Sequence, residues 1–394
     1  MRVASVASAC CLASVVACAA NQERPGAELP DGAPIAADGA RSQPGDQEDS
    51  QRDGALPPVG EKPDGGPSDR GSSSTTAADA ASDAGAAGDP PPLRPLAVTA
   101  AKVRHQHTFH PSQADATVNL ATTFSDGLET AIIDPRLRPL GKLVVTLGGV
   151  GSESGFVGGI GSFCAARGFH VFAVTYFSSY DIVRGDAAFY GDARLEAFEG
   201  IDHTNQYAFA TVHIDKPDGI ERRVARGLVY LHGLYPDEDW AYYLNADGSV
   251  RWSDVIVAGF SHGASSAARI AMVRRLAGAI SLSGPRDNSC GSDPTCAGGV
   301  VATWLGETPR TPLDRFFALT GAQDGQHPEH LFAMQRVGYP GPVVDVDIEQ
   351  PPYGGSHRLK SGSGGHSDYC GSAAYQDACN YLFSVPVENR AGVP

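Results

Sequence analysis

The chain has 394 residues, 42% of them hydrophobic and 19% charged, and a formal net charge of −15 at pH 7. That acidic balance disfavours nucleic acid and anionic membrane surfaces as partners. No basic run or aromatic–basic interleaving argues otherwise.

Residues 1–20 combine one Arg, an apolar stretch and small residues, the pattern of a secretory signal. Val15-Val16-Ala17-Cys18 resembles the lipobox of bacterial lipoproteins, in which the cysteine is lipidated and becomes the first mature residue. Ala19 carries no retention-type Asp, so the resemblance implies an outer-membrane address. Ordinary cleavage after Ala17-Cys18-Ala19, with release of the protein, is the other reading. No later segment has the ~20 apolar residues of a membrane span, so any membrane contact is expected through the lipid anchor alone. Residues 21–96 are Pro, Gly, Ala, Asp and Ser with almost no large apolar side chain. They cannot bury enough surface to offset chain entropy, which predicts a disordered tether. Residues 97–394 are the right length for one large α/β domain.

Within that domain apolar runs alternate with helical patterns. A weak leading region, 116–124 with 129–133, suggests an antiparallel pair. Strands are expected at 142–147 and 169–176, with a small-residue helix at 156–167 between them. A long connection follows to Ile214, then a helix over 220–235 with Val224, Leu228 and Leu231 at helical spacing. Further strands are expected at 255–260, 279–283, 315–320 and 343–348, and a short helix at 373–383. Strands separated by helices predict a mostly parallel central sheet with helices on both faces.

Cys10 and Cys11 lie in the signal. Cys290 and Cys296 share one Gly/Ser/Pro loop, and Cys370 and Cys379 flank another short segment. In an exported chain they predict two local disulfides. Cys164, inside an apolar helical pattern, reads as a buried thiol.

The most informative stretch is Val255 to Phe260, an apolar run that continues as Gly259-Phe260-Ser261-His262-Gly263 and then into a helix of small residues. Strand, sharp turn and helix are what a Gly-x-Ser-x-Gly motif requires, because the turn lifts the hydroxyl clear of the sheet above a helix N-terminus. A serine hydroxyl needs a base, and the base needs an orienting carboxylate. Asp324 follows strand 315–320, and His366 lies in the loop taken to follow strand 343–348. Asp287 is the rival acid and His357 the rival base. The oxyanion needs two N–H donors. His262 is the first; Val150, or else Gly149, is expected to supply the second from the Gly-rich turn after 142–147. That turn lacks the Lys-Ser/Thr ending of a phosphate-binding loop.

Residues 140–385 resemble the α/β-hydrolase superfamily, and within it a branch of exported bacterial serine hydrolases. The closer likeness lies in Trp240-x3-Leu244-x2-Asp247-Gly248-x3-Trp252, in Ser283-Gly284-Pro285, and in Pro351-Pro352-Tyr353-Gly354-Gly355-Ser356-His357-Arg358-Leu359. The resemblance implies the α/β-hydrolase fold and an acyl-transfer triad of Ser261, Asp324 and His366, working without a cofactor on a small or polymeric carboxylic ester. A peptidase or amidase, and a non-catalytic surface-binding module, are the alternatives. Phe177, Tyr180, Phe189, Tyr190 and Trp304 lie in stretches that interrupt the sheet rhythm, and as a set they suggest an apolar acyl pocket. His105, His107 and His110 cluster, and on a strand the first two share a face. With no carboxylate near them in sequence, no metal is expected there.

Overall fold

The computed structural model describes residues 94–119, 127–151, 156–178, 186–208 and 213–388. The signal segment, Cys18, Tyr180 and nearly all of the tether lie outside them.

The strands are β1 His105–Phe109, β2 Glu129–Ile133, β3 Leu143–Leu147, β4 His170–Ala173, β5 Val255–Phe260, β6 Gly278–Leu282, β7 Phe316–Gly321, β8 Val343–Asp345 and β9 Arg358–Ser361. They form one sheet in the order β1-β2-β4-β3-β5-β6-β7-β9-β8. The β1–β2 and β2–β4 pairs are antiparallel and the rest parallel. The helices are α1 Pro111–Ala114, α2 Gly158–Ala165, α3 Phe189–Glu199, α4 Ile220–Leu234, α5 His262–Val273, α6 His327–Val337 and α7 Gln376–Glu388.

Central strands read as unbroken apolar runs because both of their faces are covered. Along β3, Leu143, Val145 and Leu147 enter one core and Val144 the other. Along β5, Val255 and Val257 face the first core and Ile256 and Ala258 the second. Helix α4 brings Val224, Leu228 and Leu231 to the first core, and α5 adds Ala267, Ala268 and Ala271. Ile160, Phe163 and Cys164 of α2 and Leu382 and Phe383 of α7 close the second. The alternation is the period-two geometry of a strand, and it puts one helical layer on each face. This mostly parallel, two-layer-covered sheet is the α/β-hydrolase fold.

Three expectations need correction. The leading antiparallel pair is β1 with β2, Phe109 opposite Glu129, and residues 116–119 are not strand; 120–124 lie outside the described residues. The strand expected at 343–348 ends at Asp345, whose carbonyl accepts the N–H groups of Ile348 and Glu349 and turns the chain. After His357, where no strand was expected, the chain enters β9, which pairs with β7 through Leu359 opposite Leu319. The short run Arg358–Ser361 alternates in burial and carries only one large aliphatic residue, so it gives a weak strand signal.

Candidate active site

Strand β5 runs straight into α5, and Ser261 is the residue between them, with φ 56° and ψ −118°. Non-glycine residues rarely adopt a positive φ, and here the contacts on both sides enforce it. A Cβ at Gly259 would run into the Gly263 carbonyl, and one at Gly263 into the Leu147 carbonyl. The two motif glycines therefore let strand, turn and helix approach each other. The Ser261 N–H donates to the Leu282 carbonyl at 2.9 Å, fixing the turn to β6.

Asp324 and His366 meet. The His366 Nδ1–H donates to Asp324 Oδ2 at 2.6 Å, which leaves Nε2 as the basic nitrogen. Burial pushes the Asp324 carboxyl up, but the Gln326 N–H and the His366 ring outweigh it and hold the group below its ordinary value. The Phe260 and His366 rings lie 5.0 Å apart, so the imidazole stands beside the elbow. Its loop follows β9, not the strand at 343, and is tied down on all sides. Asp347 accepts from the Ser363 N–H at 2.8 Å, Ser361 Oγ accepts from the Gly364 N–H at 2.8 Å, and Gln323 N–H donates to the Gly364 carbonyl at 2.9 Å. Ser283 Oγ donates to the Ser367 carbonyl and accepts its N–H at 2.9 and 3.0 Å. Asp347, exposed just beyond β8, anchors this loop.

The rival residues are engaged elsewhere. Asp287 is 1% exposed and accepts from Arg194 Nε and Nη2, each at 2.5 Å, and from Trp304 Nε1 at 2.9 Å. His357 donates Nδ1–H to the Phe316 carbonyl at 2.9 Å and stacks on Phe317 at 3.9 Å.

His262 opens α5. The Tyr176 hydroxyl donates to the Gly148 carbonyl at 2.7 Å, so at 3.0 Å it accepts from His262 Nδ1–H. His262 Nε2 then accepts from Arg194 Nη1 at 3.3 Å. Burial, and next Arg194, hold this imidazole well below its ordinary pKa, so it is neutral. Gly149 packs on Ser261: a Cβ there would sit 3.4 Å from Ser261 Cβ. Val150 is exposed and lines the same pocket.

That pocket has a volume of about 230 Å³ and is lined by Val150, Ser261, His262, Arg194, Arg286, Ser265, Ser283 and Gln326. Phe189, Tyr190 and Trp304, expected to line an acyl pocket, do not line it. Trp304 is fully buried against α3, Tyr190 joins the main core, and Phe189 packs with Ala193, Ala197 and Ile214. Those rings cover core surface. Arg194 and Arg286 have no sequence signal beyond their type, since the pocket joins α3 to the loop after β6. Arg286 Nε donates to Glu329 while its backbone N–H donates to Ser265 Oγ. Among the described residues its Nη groups, the Ser265 hydroxyl hydrogen and the Gln326 side-chain amide have no protein partner.

Cys290–Cys296 and Cys370–Cys379 are disulfides, and Cys164 is a free, buried thiol whose pKa burial drives well up. The histidine cluster is not without a carboxylate: Glu238, distant in sequence, meets both His105 and His107.

No protein-family model and no curated protein matches the sequence. Among solved structures the chain is similar to S-formylglutathione hydrolase from Staphylococcus aureus, at 13% identity over 72% of this chain and 99% of that one, with a TM-score of 0.37. It is also similar to esterase B from Lactobacillus rhamnosis, at 11% identity over 74% and 89%, TM-score 0.38. A third is carboxyl esterase 2 from the fungus Tuber melanosporum, at 10% identity over 76% and 91%, TM-score 0.36.

Proposed function

We propose that the protein is an exported serine hydrolase that cleaves carboxylic esters. The observation that carries this reading is the strained Ser261 at the N-terminus of α5, beside a His366–Asp324 pair bonded at 2.6 Å. In this reading Ser261 Oγ attacks the acyl carbon while His366 Nε2 takes its proton. The tetrahedral oxyanion is held by the His262 backbone N–H, with a second donor from Val150 or Gly149, where the helix dipole also favours negative charge. His366 next protonates the leaving alkoxide, and the acyl-enzyme is released by water through the same steps in reverse. Asp324 keeps the proton on Nδ1 and stabilises the imidazolium.

The pocket refines the substrate. Its size suits a short acyl group, and its unpartnered donors, Arg286 Nη, the Ser265 hydroxyl and the Gln326 amide, suit a polar or carboxylate end to that group. A guanidinium with two open nitrogens pairs bidentately with a carboxylate. Arg194 is committed to Asp287, His262 and Ser266 and acts as wall.

The N-terminal segment supports export, with Cys18 as the lipid attachment point and 21–96 as tether. The first test is labelling of the purified domain with a fluorophosphonate probe. The parent is expected to be labelled at Ser261 and Ser261→Ala not at all; a parent that resists the probe overturns the enzyme reading in favour of a binding module.

A further inference from the structure

At the sheet edge far along the chain from the nucleophile, three metal-binding groups converge. His105 and His107 are two apart on β1 and so project to the same face. Glu238 comes from the short helical turn Pro236–Glu238 that follows α4. His105 Nδ1 lies 2.6 Å from Glu238 Oε1, and His107 Nε2 lies 2.8 Å from the same oxygen and 3.0 Å from Oε2. All three ligand atoms fall within 4.8 Å of one another. Two imidazoles and a carboxylate from separate parts of the chain thus lie close enough to share one ion.

We propose that His105, His107 and Glu238 bind one zinc-class divalent transition ion. Two imidazoles and a carboxylate favour zinc over magnesium or calcium, which prefer all-oxygen shells. The surroundings are those of a built site. Trp240 Nε1 donates to Glu238 Oε2 at 2.6 Å and leaves Oε1 for the ion. The Tyr235 ring stacks on His107 at 3.7 Å and fixes its plane. Such outer partners orient the ligands. Ligand atoms around a tetrahedral zinc stand ~3.3 Å apart, given bonds of ~2.0–2.1 Å. The two nitrogen–oxygen separations of 2.6 and 2.8 Å therefore lengthen by about 0.5–0.7 Å on binding, to which the half-open His105, 31% exposed, contributes. The same exposure leaves a coordination position to water.

The ion would clip β1, an edge strand, to the segment that leads through Trp240 towards β5. Two contacts already join the chain before β1 to this segment: Thr99 N–H donates to the Asp237 carbonyl at 2.8 Å, and Arg94 pairs with Asp239 at 2.5 Å. The test is isothermal titration of the EDTA-treated full chain with zinc chloride, with cobalt absorption as a second readout; neither depends on ester cleavage. One zinc per chain is expected at this site, together with a rise in melting temperature. His105→Ala, at the most exposed ligand, and His107→Ala are each expected to weaken binding tenfold or more and to abolish the melting shift, with circular dichroism unchanged. His203→Ala, in a surface pair with Glu199, is expected to bind like the parent. A parent that binds no zinc, or a His105→Ala/His107→Ala chain that loses less than tenfold, overturns the proposal.

Discussion

Ser261 presents a hydroxyl on a turn whose backbone is fixed by its neighbours, so replacing it tests chemistry more than folding. Ser261→Ala is expected to lower kcat on a p-nitrophenyl ester by on the order of 10⁴-fold or more, with the melting temperature unchanged. His366→Ala is expected to cost about as much, and the double variant little more, because triad members act as a unit. Asp324→Asn is expected to cost less, since His366 keeps a partner but can take the wrong tautomer. His357→Gln serves as a control that leaves kcat within a few-fold. If it abolishes turnover while His366→Ala does not, the base is wrongly assigned. Asp287→Asn is a different kind of control. Its carboxylate holds the buried Arg194 guanidinium, and breaking such a pair costs ~3–5 kcal/mol, so it should appear as lost stability. Arg286 tests the pocket. Hydrogen bonds to a charged group contribute ~1.5–3 kcal/mol. Arg286→Met is therefore expected to raise KM by about 10-fold or more for a hemisuccinate ester and to leave that of a neutral butyrate ester nearly unchanged. Equal effects on both esters would remove the carboxylate-recognition reading while leaving the triad standing.

At the scale of elements, the segment 284–312 illustrates how function and packing divide. Trp304 is 0% exposed and its Nε1–H donates to Asp287. Trp304→Ala is expected to cost ~3–5 kcal/mol in urea unfolding, because it opens a cavity and leaves Asp287 short of a donor. A change in ester preference without loss of stability would restore the aromatic-pocket reading. The rings looked like pocket material in sequence because they interrupt the sheet rhythm, but sequence position does not reveal that Phe189, Tyr190 and Trp304 pack into the interior. The elbow was legible because Gly259, Ser261 and Gly263 follow from one turn's geometry, and β3, β5, β6 and β7 because buried parallel strands are continuous apolar runs. Strand β9 was not, since Arg358 and Lys360 alternate with Leu359 and Ser361 beside a sheet edge. The anchoring role of Asp347 was hidden as well: its partners, Ser361 and Ser363, sit across a turn that the pattern of Val343 to Ile348 does not show. Arg194, Arg286 and Glu238 share a second cause. Each gains its meaning from a contact across more than 40 positions of chain, to Asp287, Glu329 and the β1 histidines, and no local spacing encodes those meetings.

For the whole molecule, the segments before the folded domain and the charge state within it set separate expectations. If Cys18 is the anchor, labelling cells with a palmitate analogue should mark the parent chain and spare Cys18→Ala; equal labelling of both would remove the lipid anchor and leave release after signal cleavage. The folded domain itself should be sensitive to mild acid. His330 is fully buried beside Thr320 Oγ1 at 2.8 Å, and burial pushes its imidazole down to about 3. Burial and Arg194 push His262 well down too. In the unfolded chain both groups titrate near ~6.5. Between that value and the folded one, the unfolded state binds more protons than the native state, so stability must fall as pH falls. Each such imidazole contributes a slope of about 1.4 kcal/mol per pH unit once pH is below ~6.5. The Asp324 carboxyl, held below its ordinary value, loses its contribution only at more acid pH and does not enter this window. Urea unfolding between pH 7 and 5 should show stability constant near pH 7 and then declining. His330→Leu should remove roughly one imidazole's share of the decline. A stability that stays flat from pH 7 to 5 would mean that these histidines are charged or solvated in the native state, and with that the neutral His262 assigned beside the nucleophile would fall.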